Sequence, residues 1–226
     1  MSNIDFLRRV PIFADLDDEH LHPLPEKLHR RHYRKGEVIF HQDDPADCMH
    51  IVEEGSVKIS IMSADGREKD IALLQEGECF GEMALLDNSN RSAMATCLDH
   101  SETLVLFRQD FLHFLCGYPE FASKIISLLA QRLRNANDTL GDMVFLDVPT
   151  RVAKELLVLV ETYQKVSYDN KNIVIPIGQE ELARLVGSNR ETVSRALASY
   201  RRMGIVATSH GKITITDMPH LNRMAS

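Results

Sequence analysis

The sequence predicts an α+β chain with a jelly-roll β-barrel at its amino end, a long dimerisation helix, and a winged helix-turn-helix at its carboxyl end. Three observations predict it. Residues 1–118 carry short strand patterns separated by glycines, residues 119–146 carry an uninterrupted helical pattern, and residues 147–226 contain two short helical patterns around Gly187. The helix-turn-helix itself is predicted at 179–203.

The barrel is predicted from apolar segments that alternate with turn signals. In the segment 56–62, Val57, Ile59 and Ile61 alternate with Ser56, Lys58 and Ser60, which is typical of a strand with one buried and one solvent-facing side. Asp65-Gly66 then predicts a hairpin turn, with a returning strand at 69–74. Further strand patterns lie at 38–40, 49–52 and 103–107, and glycines stand at positions 36, 55, 66 and 77. This spacing favours a small antiparallel barrel or jelly roll.

The long helix is predicted from apolar residues in the 3-4-3-4-3 spacing of a coiled-coil seam: Ile126, Leu129, Leu133, Ala136, Leu140 and Met143. About 26 helical residues span about 39 Å, more than a small barrel covers. We therefore expect a parallel two-stranded dimer seam; the alternative is an amphipathic helix packed on its own domain. Asp147-Val148-Pro149 ends the helix, because a residue before proline is disfavoured in the helical conformation. A second helix is predicted at 150–164.

The charge of the chain is unevenly distributed. The net charge is −7 overall. Residues 1–146 carry 15 Lys and Arg against 25 Asp and Glu, whereas residues 147–226 carry 11 against 8. An acidic body with a basic carboxyl end favours a nucleic-acid-binding role for that end.

The composition excludes several classes of protein. Hydrophobic residues make up 44% and charged residues 26% of the chain, which excludes wholesale disorder. No uninterrupted apolar window reaches the length of about 18 residues that a membrane span needs, and the amino end does not resemble a secretory signal. We therefore expect a cytoplasmic protein without a membrane partner. Four scattered cysteines without a C-x-x-C pair are expected to be buried thiols.

The helix-turn-helix is predicted from two helical patterns, 179–186 and about 190–203. Leu182, Val186 and Leu197 are expected in the core, with Ala183 and Val193 where the two helices cross. Ser188 and Asn189 are alternative caps of the second helix. Four residues of its first turns are expected to be exposed to DNA: Arg190, Glu191, Ser194 and Arg195. Arginine donates to guanine and a carboxylate accepts from cytosine in the major groove, although the same residues also suit an ordinary solvated helix face. A winged hairpin is expected to follow, with its turn at His210-Gly211.

A second candidate binding site, with groups suited to a phosphate and a sugar hydroxyl, lies between Phe80 and Ser92. Gly81 allows close backbone approach, and backbone N–H groups at a short helix start suit a phosphate. Arg91 supplies a counter-charge, Ser92 a further donor, and Glu82 an acceptor for a sugar hydroxyl. The alternative is a barrel corner with a buried Arg91–Glu82 ion pair.

Two segments resemble one family. The run from Val186 to Arg195 (VGSNRETVSR) and the stretch from Phe145 to Ala153 (FLDVPTRVA) are similar to the cyclic-AMP receptor protein / fumarate-nitrate reduction regulator family of bacterial transcription factors. The resemblance covers nearly the whole chain. It implies a homodimer that binds double-stranded DNA and RNA polymerase. It also implies that Arg190, Glu191 and Arg195 read a palindrome with TGTGA-like half-sites, and Ser194 is shared with the oxygen-sensing branch.

The resemblance also implies an effector. In cyclic-nucleotide domains the residues matching Gly81 and Glu82 contact the ribose, and those matching Arg91 and Ser92 hold the phosphate; Met83 lies in the same motif. Ala136 stands where cyclic-AMP regulators often carry a hydroxyl residue, and the neighbouring Asn137 offers an amide to the base. Cyclic AMP is the expected effector and is not covalently bound, with cyclic GMP or a cyclic dinucleotide as alternatives.

Other functions are set aside. A non-nucleotide effector (redox, haem or a metabolite) and constitutive DNA binding remain as alternatives. The histidines, among them His29 and His32 at i,i+3 spacing, are interpreted as a solvated helix face rather than a metal site. No cysteine precedes Cys48, which disfavours the iron–sulfur cluster of the oxygen-sensing branch. No catalytic signature is present, so no enzyme is expected.

Overall fold

The computed structural model describes residues 3–164, 173–209 and 211–225. The chain divides into two compact units, residues 1–134 and residues 135–226. The sequence-based division at residues 118 and 146 stays a prediction.

The first unit is built on two four-stranded antiparallel sheets. Eight strands form them: β1 (Leu28–Tyr33), β2 (Val38–Phe40), β3 (Cys48–Glu54), β4 (Val57–Met62), β5 (Glu68–Leu74), β6 (Cys79–Phe80), β7 (Met94–Cys97) and β8 (Ser101–Phe107). One sheet has the order β1-β8-β3-β6 and the other β2-β7-β4-β5. Eight antiparallel strands in two sheets make a jelly roll, which confirms the predicted fold class. The hairpin at Asp65-Gly66 is also confirmed, since β4 pairs with β5 across it.

Six helices accompany these strands: α1 (Asn3–Leu7), α2 (Asp18–Leu21), α3 (Leu24–Lys27), α4 (Met83–Asp87), α5 (Arg108–Gly117) and α6 (Pro119–Phe145). The expectation of strands throughout the first 118 residues is wrong at both ends, because the amino-terminal segment and α5 are helical. Phe13 stacks on Phe121 with ring centroids 5.6 Å apart, and both side chains are buried with Phe111 in one core. Burial of these aromatic rings therefore anchors the start of α6 against the barrel.

One strand departs from its predicted burial. Lys58 and Ser60 were expected to face solvent, but only 7% and 0% of their surfaces are exposed, whereas Ile61 is 39% exposed. The strand β4 lies between β7 and β5, and a register shift between Ile59 and Ser60 interrupts its pairing with β5. The buried Lys58 ammonium is compensated because Nζ lies 2.7 Å from Glu68 Oε1 and 3.4 Å from Asp70 Oδ1.

The histidine and cysteine interpretations are also corrected in part. His29 and His32 are exposed as expected, but they lie on the strand β1 and not on a helix. The i,i+3 spacing was misleading because β1 pairs with β8 over its whole length. The four cysteines are free thiols; Cys48, Cys79 and Cys97 are buried, and Cys116 is exposed.

The helix α6 has 27 residues, or about 40 Å, and confirms the predicted long helix. Phe121 and Ile125 at its start are buried in the barrel core. Further along, Ile126, Leu133 and Leu140 are 66%, 63% and 62% exposed. These three residues stand seven positions apart, so one heptad position of the predicted seam is open in the single chain.

The second unit contains helices α7 (Val148–Gln164), α8 (Gln179–Val186), α9 (Arg190–Arg202) and α10 (Met218–Met224), with strands β9 (Ile173–Ile175), β10 (Val206–Ser209) and β11 (Lys212–Ile215). The break between α6 and α7 is confirmed, although α7 begins two residues earlier than predicted. Asp147 caps α7, since its Oδ1 accepts from the Thr150 N–H at 2.9 Å.

The winged hairpin is confirmed as β10 and β11, which pair in antiparallel register from Val206↔Ile215 to Ser209↔Lys212. The strand β9, which the sequence did not indicate, extends it to a three-stranded sheet. His210, half of the predicted turn, lies outside the described residues.

Candidate functional site

Arg91 is a buried cation at the centre of the first unit's candidate site. Only 4% of its surface is exposed. Its Nη1 donates to the Gly81 carbonyl at 2.9 Å, and the guanidinium carbon lies 4.1 Å from the centroid of the Phe40 ring. Within the described residues Nε has no hydrogen-bond partner, and Arg91 has no carboxylate within 4 Å. A buried charge without an opposite charge is costly, which points to an anionic ligand.

Gly81 makes room for this arginine. Its φ is +83°, and a Cβ added there would lie 2.4 Å from Arg91 Nη1. Any side chain at position 81 therefore both strains the backbone and collides with the guanidinium.

Glu82 is the matching acceptor and is completely buried. Its Oε1 accepts from Arg132 Nη1, while Arg132 Nη2 donates to the Cys79 carbonyl. The other oxygen, Oε2, has no hydrogen-bond partner among the described residues. The Arg91–Glu82 ion pair considered from the sequence is therefore wrong: Glu82 pairs with an arginine of α6.

Arg132 is the site residue that sequence reasoning missed. It lies four positions before Ala136 on α6, and residues at i and i+4 share one helix face. That spacing, applied to the predicted contact of Ala136, was the signal that could have found it.

The other predicted pocket residues are less enclosed. Met83, the first residue of α4, is 45% exposed, and Ser92 is exposed beside Arg91. The helix α4 has only five residues, and the buried positive charge beside it that is not paired with a carboxylate of the described residues is that of Arg91. Ala136 and Asn137 are exposed on α6 and belong to the second unit. The structure thus brings together Gly81, Glu82 and Arg91.

The helix-turn-helix of the second unit follows the prediction closely. Gly187 ends α8 in the left-handed conformation with φ +67°. Asn189, and not Ser188, caps α9, because its Oδ1 accepts from the Thr192 N–H at 2.8 Å. The expected core residues Leu182, Val186 and Leu197 are buried, as are the crossing residues Ala183 and Val193.

The exposed face of α9 carries the four predicted DNA-reading residues. Arg190, Glu191 and Arg195 are exposed, and Ser194 is half-buried. Arg190 Nε lies 3.9 Å from Glu180 Oε2, with both side chains about two-thirds exposed. Arg195 Nη2 donates to Thr192 Oγ1 at 3.4 Å. Such long, solvated contacts hold both arginine side chains only weakly.

Comparison with known proteins identifies the family. Residues 30–117 match the cyclic nucleotide-binding domain, and residues 150–224 match the Crp-like helix-turn-helix domain. The chain is 31% identical to the CRP-like cAMP-activated global transcriptional regulator of Mycobacterium tuberculosis, over 98% of this chain and 99% of that protein. It is 35% identical to the cyclic AMP receptor protein of Thermus thermophilus, over 97% and 98% of the two chains. The chain belongs to the CRP/FNR family of transcription regulators.

Solved structures of the CRP/FNR family agree with the fold. The c-di-GMP responsive global regulator CLP of Xanthomonas campestris superimposes with a TM-score of 0.80 at 24% identity, covering 89% of this chain and 100% of that one. The Thermus thermophilus catabolite activator protein gives a TM-score of 0.55 at 35% identity, covering 95% and 98%. As a CRP/FNR-family member, the protein is a ligand-responsive, DNA-binding transcription regulator with a cyclic-nucleotide-binding barrel.

Within residues 3–164, 173–209 and 211–225, no group of three or more His, Cys, Asp or Glu side chains is placed to hold a metal ion. None of the helices in the described part of this CRP/FNR-family chain is long and apolar enough to cross a membrane.

Proposed function

We propose that the protein is a cytoplasmic, homodimeric regulator that binds a palindrome of TGTGA-like half-sites and is controlled by cyclic AMP. The observation that carries the proposal is a pair of buried groups of opposite charge that each leave one polar atom unbonded: Glu82, which follows Gly81 in the chain, and Arg91, which donates to the Gly81 carbonyl.

A cyclic mononucleotide satisfies both groups. Its phosphate carries a single negative charge, which compensates Arg91, and a phosphate oxygen accepts from the unpartnered Nε–H. Its ribose 2′-hydroxyl donates to Glu82 Oε2, with Met83 and Ser92 beside the ligand. The names of the Mycobacterium and Thermus relatives support cyclic AMP.

The base is contacted across the dimer in this proposal, from α6 of the second copy. The Asn137 amide carries both a donor and an acceptor, which suits the adenine edge, and Ala136 leaves room beside it. Cyclic GMP and a cyclic dinucleotide are the competing effectors, since the phosphate and ribose contacts do not depend on the base.

The dimer is proposed from the open heptad position of α6. Ile126, Leu133 and Leu140 each expose more than 60% of their surface, and a second copy of α6 in parallel orientation buries all three. The dimer then presents two copies of α9, whose spacing must match about 34 Å to enter successive major grooves.

The DNA contacts are proposed for the exposed face of α9. Arg190 and Arg195 donate to guanine, Glu191 accepts from cytosine, and Ser194 lies next to the phosphate backbone. Bound at a promoter, the dimer contacts RNA polymerase.

Calorimetry tests the effector. Wild-type protein is titrated with cyclic AMP, cyclic GMP and a cyclic dinucleotide, and Arg91→Leu is expected to cost about 1.5–3 kcal/mol of cyclic AMP binding. Arg67→Leu is the matched control, because that arginine is 84% exposed on the β4–β5 hairpin and is expected to change nothing. Equal binding by Arg91→Leu, or no binding by the wild type, contradicts the proposal and leaves a non-nucleotide effector or constitutive DNA binding.

A DNA titration tests the recognition helix. Arg190→Ala or Arg195→Ala is expected to lose about 1–3 kcal/mol at a TGTGA palindrome and to relax the preference for its guanines. Unchanged affinity and unchanged preference would contradict the assignment of these side chains.

A further inference from the structure

The guanidinium of Arg91 is held by three neutral groups. Nη1 donates to the Gly81 carbonyl, Nη2 donates to Cys48 Sγ at 3.6 Å, and the plane lies over the Phe40 ring. These contacts fix the direction of the fork and leave Nε as the donor without a partner. The Phe40 ring also packs against His50 and Phe80, with ring centroids 5.9 and 5.8 Å away. Behind the thiol, a chain of side-chain contacts begins at Cys48.

That chain of contacts continues from Cys48 into the barrel. Cys48 Sγ lies 3.6 Å from His50 Nε2, and His50 Nδ1 lies 3.2 Å from Thr103 Oγ1. At most 4% of the surface of any of these three residues is exposed. The His50 ring also stacks on Phe80 at 5.1 Å, immediately before Gly81. The thiol is therefore fixed from behind, with its sulfur directed to the guanidinium.

Both members of the pair behind Arg91 are uncharged. Burial and the positive charge of Arg91 lower the pKa of His50 to about 3, so the imidazole is neutral. Burial, together with the neighbouring Asp47, raises the pKa of Cys48 to about 11, so the sulfur is a thiol. A thiol accepts a weak hydrogen bond without cancelling the charge of the arginine, whereas a carboxylate in its place would form an ion pair with it.

We infer that Cys48, supported by His50 and Thr103, is a positioning residue that aligns the Arg91 guanidinium for the phosphate of the effector while leaving its positive charge free. This inference rests on the proposed function. It assigns to Cys48 no contact with the ligand, only with the arginine that holds it.

Spectra of the ligand-free protein test the alignment itself. In ¹⁵N side-chain NMR, hindered rotation of the Arg91 guanidinium is expected to give separate Nη1 and Nη2 signals, which are assigned by their loss in Arg91→Leu. Cys48→Ala is expected to merge them by freeing rotation, and Cys48→Ser, which keeps an acceptor, to leave them separate. Cys97→Ala is the matched control, since that buried thiol lies in the second sheet and should leave the signals unchanged. Separate signals in Cys48→Ala would overturn the inference.

The affinity for cyclic AMP tests whether the alignment of Arg91 by Cys48 matters for ligand binding. Cys48→Ala is expected to weaken cyclic AMP binding about fivefold, the size of one weak hydrogen bond, while Cys48→Ser and Cys97→Ala stay within about twofold of the wild type. In the Arg91→Leu background Cys48→Ala should have no further effect, because the partner is gone. The same fivefold loss in both backgrounds would show a general packing defect and overturn the inference. Absence of nucleotide binding by the wild type would refute the proposed function alone, since the spectra need no nucleotide.

Discussion

The variant Gly81→Ala tests whether the position of the Arg91 guanidinium determines ligand affinity at the candidate site. The added Cβ lies 2.4 Å from Arg91 Nη1 and forces the guanidinium away from the Gly81 carbonyl. The φ of +83° costs a non-glycine residue about 1–2 kcal/mol of folding free energy. Under the proposed function, displacing Arg91 also removes a charge-assisted hydrogen bond to the phosphate of cyclic AMP, worth about 1.5–3 kcal/mol, or roughly 10- to 150-fold in Kd.

The chain offers a matched control at Gly66, whose φ is +81° but whose Cβ would meet nothing within 4 Å. Urea unfolding is expected to show a loss of stability in both variants, larger in Gly81→Ala because its Cβ also displaces the buried guanidinium. Calorimetry with cyclic AMP is expected to show a loss of affinity in Gly81→Ala only. If both variants bind cyclic AMP equally well, the contact of Arg91 with the Gly81 carbonyl does not position the guanidinium for the phosphate, and the reasoning is refuted.

Three further predictions concern the dimer seam and the caps of α7 and α9. Leu133→Asp places a charge at the open heptad position and is expected to give a monomer in analytical ultracentrifugation, whereas a dimer of wild-type stability would exclude this seam. Backbone and side-chain hydrogen bonds from Thr150 lower the pKa of Asp147, so the stability they contribute is present above the unfolded pKa of about 3.9 and is lost as pH falls through the lower folded value. Asp147→Ala is therefore expected to destabilise the protein at pH 7 but much less at pH 2, and an equal loss at both would contradict the cap. Asn189→Ala removes the cap of α9 and is expected to cost about 0.5–2 kcal/mol by thermal unfolding, while Ser188→Ala, the control, changes stability little.

The elements that the sequence predicted best are those decided by local patterns. The helices α8 and α9 follow from apolar spacing around Gly187, which adopts the left-handed conformation that only glycine takes readily. The helix α6 follows from its uninterrupted seam. The break after it was predicted near the right place but for the wrong reason, because Val148, the residue before Pro149, is the first residue of α7 and α6 already ends at Phe145. The four- and five-residue helices before β1 were missed because such short helices have no periodic signal and are formed by packing onto the core.

Burial within the barrel was harder to predict. The alternation in β4 correctly indicated a strand, but it could not show that Lys58 is accepted in the interior by Glu68 and Asp70, ten and twelve residues away. A register shift moved Ser60 and Ile61 out of their expected environments. Such effects depend on the neighbouring strands and leave no local trace.

In the candidate site, too, residues close together in the sequence were predicted and contacts between distant residues were not. Gly81, Glu82 and Arg91 were found because they lie within eleven residues and carry complementary chemistry. The pairing of Glu82 with Arg132 spans 50 residues, and the contact of Arg91 with Cys48 spans 43. The i,i+4 spacing from Ala136 could have marked Arg132 as a candidate, but neither pairing could be derived from the sequence, because each depends on how α6 and β3 pack at the same corner of the barrel.

The proposal that cyclic AMP controls DNA binding is tested most simply by fluorescence anisotropy. The affinity for a fluorescent DNA carrying a TGTGA palindrome is measured at one fixed salt concentration, with and without saturating cyclic AMP. We expect at least about tenfold tighter binding with cyclic AMP, a coupling of about 1.4 kcal/mol, and loss of that difference in Arg91→Leu. The same affinity with and without cyclic AMP in the wild type would contradict the proposal.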